Sequence, residues 1–372
     1  MQIDFTKLIL FFGKKTLLLM LGLLCCAPVC GAANGSSTNV FCVSANLKFE
    51  TSPLVREAKS AEQRNLPSDW QNRSGAIALN AKWETNQSLP WFIEYQKDGH
   101  DWIVSGLADG DSEKVAWGLK ILGWGWARME ADGSFKHPDS YHSGSFFIEA
   151  TAHSILLLEN SPWRAEFTEQ INGFKPKLLA AARWMIRPNI GAPNWPDDEH
   201  YPKMFGERRY AHRRFLDAAA LGETAVIFND QPLMEKSVWL IHNGIAFQQP
   251  DGVNLERGGH DTSYQALGLI YACRYYQLVA DDAMRAEMKP VLDKGFAWLL
   301  TRIQPDCSID GTGNTRTGPA GEQGRNGKPK QLDYQTTAVV FAHWAQLTGD
   351  PSWEKAARRV FEFEQKSKAN AK

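Results

Sequence analysis

The sequence predicts an all-α protein, an (α/α) toroid or barrel of about six to seven helical hairpins. Three observations predict it. From about residue 100 onward, apolar residues recur three to four positions apart in one segment after another. Alternating strand patterns are almost absent, and no Asn-Gly dipeptide stands between two alternating runs. Turn-forming stretches also recur: "ADGSF" at Asp132, "RPNIG" at Asn189, "PDGVN" at Asp251 and "PDCSIDG" at Asp306, spaced by 57, 62 and 55 residues. A unit of that length is two helices and their loops. It cannot cover its own apolar faces, so neighbouring units must stack. An open solenoid would also satisfy this. Long, glycine-rich, charged loops recurring on one side of the repeats favour a closed ring around a cleft.

The elements follow in order. Residues 1–33 carry Lys14 and Lys15 ahead of "TLLLMLGLLCCAPVCGAANGSS", a charged start, a short apolar run and small residues near Ala33. The apolar run is too short to span a membrane comfortably and reads as a cleaved signal peptide. Cys25, Cys26 and Cys30 fit a lipoprotein signal poorly, though a lipoprotein stays possible. Residues 34–79 are a polar lead-in with one candidate helix, "LVREAKSAEQRN". Residues 80–368 form one catalytic-sized domain. Its helices include "EKVAWGLKILGWGWARM", "SFFIEATAHSILLLEN", "FLDAAALGETAVIF", "SYQALGLIYACRYYQLV" and "YQTTAVVFAHWAQL".

Composition narrows the function. With 43% hydrophobic and 22% charged residues, the chain is a soluble globular protein. Its formal charge is −1, and residues 1–33 hold Lys7, Lys14 and Lys15 against Asp4, so the remainder is more acidic still. Binding nucleic acid through bulk charge is excluded. No membrane contact is expected beyond the signal peptide, which implies a periplasmic, secreted or cell-surface protein. Only Cys42, Cys273 and Cys307 lie outside the leader, too few for a disulfide framework. There is no His-Glu-x-x-His, no cysteine cluster and no Walker pattern, so no metal or cofactor is expected, though an ion bridging loops stays open. Fourteen Trp offer core mass and faces that stack on sugar rings.

Five stretches could carry chemistry. "PDSYHSGSFFIEA" puts Tyr141 and His142 ahead of a helix. "RPNIGAPNWPDDEHYPKMFGERRYAHRRF" is a long loop with Asn189, Asn194 and Trp195, leading to Tyr210, His212, Arg213 and Arg214. "LERGGHDTSYQALGLIYACRYYQ" sets Arg257, His260 and Tyr264 at a helix mouth. "GTGNTRTGPAGEQGRNGKPKQLDY" holds Arg316, Arg325, Lys328 and Lys330 with only Glu322 opposing before Asp333, a loop suited to an anion. His343, inside an apolar helix, reads as a satisfied core histidine, and His153 and His242 read as helix residues without a site role.

"PDGVNLERGGHDTSYQALGLIYACRYY" resembles a region of the alginate lyase families. There a loop Arg precedes, by seven residues, a Tyr opening a helix of pattern Tyr-x-Ala/Pro-Leu-x-Leu/Met-Ile. Here these are Arg257 and Tyr264, followed by "YQALGLIY". About 45 residues earlier those families have a helix beginning Asn-Asn-His, and here "YAHRRFLDAAAL" places His212 in the histidine position. The order of elements, ending in the Arg/Gly/Lys loop, is most similar to polysaccharide lyase family 38, which cleaves uronate polymers such as alginate and glucuronan in an α/α barrel. The resemblance implies a lyase whose partner is an anionic polysaccharide, with Tyr264, His212 and Arg257 as catalytic residues. One departure is Ala211, where the pattern has Asn; its task would pass to Arg213, Asn189 or Asn194.

The chemistry suits these residue types. A base takes the uronate C5 proton, and the C4 oxygen then leaves. The neighbouring carboxylate must be neutralised first, for which an Arg fork is apt. Tyr264 is expected as general acid and, for one C5 epimer, also base; His212 is the alternative base or carboxylate clamp. Arg257 would lower the phenol pKa and bind the uronate. His260, His142, Tyr141, Asn189, Asn194, Trp195, Arg213, Arg316, Arg325 and Lys330 are expected to bind substrate. Two other readings remain. A glycoside hydrolase would pair carboxylates drawn from Asp139, Glu149, Asp197, Asp198 and Asp261. A non-catalytic glycan-binding protein would need only the stacking Trp and the cationic loop.

Overall fold

A computed structural model describes residues 37–63, 65–136, 140–188, 210–318, 321–324 and 327–370. The expected leader and the candidates Asp139, Asn189, Asn194, Trp195, Asp197, Asp198 and Arg325 lie outside these residues. Among the described residues there are thirteen α-helices and no strand, only isolated bridges. The chain is all-α, as its periodicity predicts. No helix among the described residues is long and apolar enough to cross a membrane.

The helices are α1 (Ser37–Glu50), α2 (Pro53–Gln63), α3 (Ala78–Thr85), α4 (Asp98–Asp109), α5 (Ser112–Trp126), α6 (Ser140–Glu159) and α7 (Thr168–Met185). They continue with α8 (Ala211–Phe228), α9 (Gln231–Ala246), α10 (Thr262–Leu278), α11 (Asp282–Thr301), α12 (Tyr334–Thr348) and α13 (Pro351–Asn370). The even-numbered helices α2, α4, α6, α8, α10 and α12 each pack on the next, and the short α3 is not part of this series. Helix α12 returns to α2, so a ring closes. Five odd-numbered helices, α5, α7, α9, α11 and α13, back the ring from outside. Among the described residues these make five hairpins, with α2 as a further ring helix. Helix α2 belongs to the stretch expected as a lead-in, yet it closes the ring between α4 and α12.

Side chains explain the layering. Ring helices α6, α8 and α10 are buried around most of their circumference, whereas α9, α11 and α13 each bury one stripe. Ala218, Ala219 and Ala220 on α8 are small enough to let its neighbours approach closely. Helix α1 lies at the other end of the ring from the long loops. Its Cys42 and Val43 pack on Leu156 and Leu278, near the C-termini of α6 and α10.

The recurring Asp turns are one device used three times. Asp132, Asp251 and Asp306 each accept a hydrogen bond from the backbone N–H two residues on, at 2.9, 3.1 and 2.9 Å. Each turn then closes a tiny hairpin: Glu130 N donates to Ser134 O, Gln249 N to Val253 O and Gln304 N to Ser308 O. The residue after each Asp is left-handed: Gly133 at φ 95°, Gly252 at φ 96° and Cys307 at φ 73°. Glycine suits the second turn in particular, because a Cβ on Gly252 would stand 2.3 Å from the Lys294 carbonyl oxygen. These turns lead from the outer helices α5, α9 and α11 back to the ring. Cys42, Cys273 and Cys307 are all free thiols.

Candidate active site

The site is built at the N-terminal mouths of α8 and α10. Asp261 caps α10, and one of its oxygens accepts from Ser263 N and Tyr264 N, each at 3.1 Å. The other oxygen accepts from Arg316 N at 2.9 Å and Thr317 N at 2.8 Å. A single buried carboxylate therefore fixes both the helix start and the cationic loop. Asn314 reinforces the join by donating to Thr262 Oγ1 at 2.9 Å. With all its acceptor positions engaged, Asp261 is anchored rather than available as a hydrolytic acid. Glu149, another hydrolase candidate, is bound to Arg274 at 2.5 Å deep in the ring.

The join lays Arg316 on Tyr264, with the guanidinium carbon 3.6 Å from the ring centroid. Lys330 Nζ donates to Tyr264 Oη at 2.9 Å. Lys330 reaches this position because its loop folds back on itself: Gly318 N donates to Lys330 O and Lys330 N to Glu322 O. Glu322 then sits among three cations. Lys330 bonds it at 2.7 Å, Arg257 at 2.7 Å and Arg316 at 3.2 Å. Partial burial works to raise its pKa, but the Lys330 hydrogen bond and the Arg316 charge prevail and hold it down at about 2.

Arg257 occupies a two-residue turn, Arg257-Gly258, with both φ angles positive at 55° and 81°. Glu256 and Gly259 close that turn by exchanging backbone hydrogen bonds. A left-handed arginine costs about 1–3 kcal/mol. The turn leaves Arg257 about half exposed and paired with Glu322. The cation on the phenol is thus Arg316, with Lys330, while Arg257 stands one carboxylate away.

His212 is fully buried at the start of α8, and its ring centroid lies 4.7 Å from that of Tyr264. Its Nδ1 meets Glu256 Oε1 at 2.5 Å, and its Nε2 is buried with no hydrogen-bond partner. Ala211 N donates to Leu255 O, the link that brings Glu256 beneath the imidazole. Glu256 also accepts from Arg316 at 3.2 Å. Burial first, then the charges of Arg316, Arg213 and Lys330, hold the His212 pKa well below its usual value, so the ring is neutral. Burial pushes Glu256 up to about 7, against the pull of Arg316.

The other predicted residues spread outward. His142 faces His212 with ring centroids 6.0 Å apart, and Tyr141 lies 6.3 Å from Trp184. Arg213 lies over Tyr210, 4.5 Å from its centroid. His260 points away from the phenol, to Thr312 O at 3.1 Å and to Trp298. His343 is a core residue, stacked on Phe49 and bonded to Gln277. Sequence reasoning missed Glu256 and Glu322 as a ligand of three cations, and it gave no role to Tyr210, whose ring is 5.1 Å from the Arg316 guanidinium. Below the mouth, a cavity of about 140 Å³ runs into the ring, lined by Lys97, His100, Glu149, Tyr271 and Arg274. Tyr264, Leu267, Tyr271 and Arg274 recur at helical spacing on one face of α10.

No protein-family model matches this chain, and no curated protein matches it either. Among solved structures, the chain is similar to a polysaccharide lyase. The TM-score is 0.48 and the identity 16%, over 89% of this chain and 92% of that one.

Proposed function

We propose that this protein is a polysaccharide lyase that cleaves a uronate polymer, such as alginate or glucuronan, by β-elimination. Export through the leader at 1–33 belongs to the same proposal, since such polymers lie outside the cytoplasm. The observation that carries it is the convergence at Tyr264. Lys330 donates to the phenol oxygen, Arg316 covers the ring, and the buried imidazole of His212 stands beside it. A uronate carboxylate is chemically the group that Glu322 presents to Arg257, Arg316 and Lys330, and so can take its place among them.

In this reading His212 Nε2 accepts the C5 proton. The C5–H electrons become the C4=C5 double bond, and the C4–O bond breaks. Because Lys330 donates to Tyr264 Oη, the phenol proton points elsewhere and can pass to the leaving oxygen. The cations hold the charge that builds on the carboxylate. His212 serves as base only while its Nδ1 carries the hydrogen given to ionised Glu256.

The test is the rise in ultraviolet absorbance from the unsaturated product on polymannuronate, polyguluronate and polyglucuronate. Wild type should act on at least one, and Tyr264→Phe should lose nearly all of that rate while keeping its helical circular dichroism. Wild-type turnover without a new double bond would indicate hydrolysis. Binding without turnover would indicate a glycan-binding protein.

A further inference from the structure

A second polar cluster lies deep in the ring, beside the cavity and away from the mouth. Glu50 at the end of α1, His100 on α4 and His153 on α6 each bring a carboxylate oxygen or ring nitrogen to within 4.8 Å of the others. The three are 1%, 4% and 0% exposed. His153 Nε2 stands 3.6 Å from Glu50 Oε1, close to the ~3.4 Å separating two donors bound at ~2.1 Å in a tetrahedral zinc site. The two imidazole rings are 5.1 Å apart at 73°.

The outward faces of the rings carry the argument further. His153 turns Nδ1 to Glu223 at 3.2 Å, and His100 turns Nδ1 toward Asp101 at 3.5 Å. A metal-bound histidine commonly gives its remaining N–H to a carboxylate in this way. His100 Nε2 is buried with no hydrogen-bond partner. Asn46 places its amide 2.8 Å from His153 Nε2, and its oxygen is also buried without a partner. Rotating that amide exchanges its O and N, so its oxygen can serve the same centre. Charge points the same way. Glu50, Glu149 and Glu223 are all buried close together, and Arg274 pairs with Glu50 and Glu149. A sealed pocket this rich in carboxylates suits a cation.

We propose that Glu50, His100 and His153 bind one divalent transition-metal ion, zinc by their nitrogen and oxygen donors, with the Asn46 oxygen or water completing the tetrahedron. Glu223 orients His153. Every ligand is buried, so the ion is a structural tie that joins α1 to the ring helices α4 and α6 and takes no part in the reaction.

Elemental analysis of the purified full chain, dialysed against a weak chelator, should find close to one zinc per chain. His100→Ala and His153→Ala should remove it. Glu223→Gln should keep the site but bind zinc about 10–100-fold more weakly in competition with a chromophoric chelator. A strong chelator should lower the wild-type Tm, and added Zn²⁺ should restore it. Wild type with no metal above background and a Tm unmoved by chelator or Zn²⁺ overturns the proposal. So does zinc retained in full by both His variants, which would mark an adventitious ion only. Should those variants fail to fold, unchanged zinc affinity in Glu223→Gln overturns it as well. None of these readouts uses catalytic activity, so the result stands apart from the lyase reading.

Discussion

The mouth of the ring and its depth hold the same residue types in opposite proportion. At the mouth one carboxylate, Glu322, is shared by Arg257, Arg316 and Lys330. In the depth three carboxylates, Glu50, Glu149 and Glu223, surround the guanidinium of Arg274. The mouth is therefore arranged for an incoming anion and the depth for a cation. Burial separates the two further. Glu322 is partly open to solvent and can give way to a ligand, whereas the deep carboxylates are sealed, and burial with Glu149 nearby raises the Glu223 pKa well above the usual carboxylate range.

The largest expected effect falls on the mouth. Tyr264→Phe keeps the ring under Arg316 and removes only the transferable proton, so kcat should fall by about 10³-fold or more with Tm little changed. Arg316→Leu removes both the cation over the phenol and a partner of Glu256 and Glu322; kcat/KM should fall by about 10²–10³-fold, checked on the same substrate. Glu256→Gln bears on pH. In wild type the pKa near 7 means that below pH 7 Glu256 is protonated and donates to His212 Nδ1, leaving the hydrogen on Nε2 and no base. Activity should rise as pH passes upward through about 7, and the variant should lose that limb along with about 10-fold or more in kcat. The smallest effect belongs to Arg257→Ala. Its half-exposed charge should shift KM by a few-fold, corresponding to roughly 1 kcal/mol or less, and added salt should shrink the difference. If Arg257→Ala outweighs Arg316→Leu, the division of labour at the mouth is reversed.

The helices were legible because a buried helical face writes its period into the sequence, and the Asp turns because each needs a side-chain acceptor and a left-handed neighbour. Tyr264 and His212 were legible through the spacing they share with the alginate lyase families, and Arg316 and Lys330 through the cations crowded into one glycine-rich loop. Their partners were not. Glu256 reaches His212 across 44 residues and Glu322 reaches Arg257 across 65, and no local pattern marks a carboxylate for such a distant partner. The deep cluster was illegible for the same reason. His153 reads as a helix residue without a site role, His100 falls in no motif, and Glu50 comes from a polar stretch that reads as a lead-in. Nor did ring closure by α2 show in the sequence, since "PLVREAKSAEQ" is short and mostly polar.

The seam between α2 and α12 joins segments separated by some 270 positions in the chain. Every other junction in the hoop links consecutive ring helices, so this one bears the greatest loop-closure entropy and is the last to gain from cooperation. A hoop opens first where its ends were brought together, and local unfolding should therefore start here and spare the junction of α8 with α10, where the proposed chemistry resides.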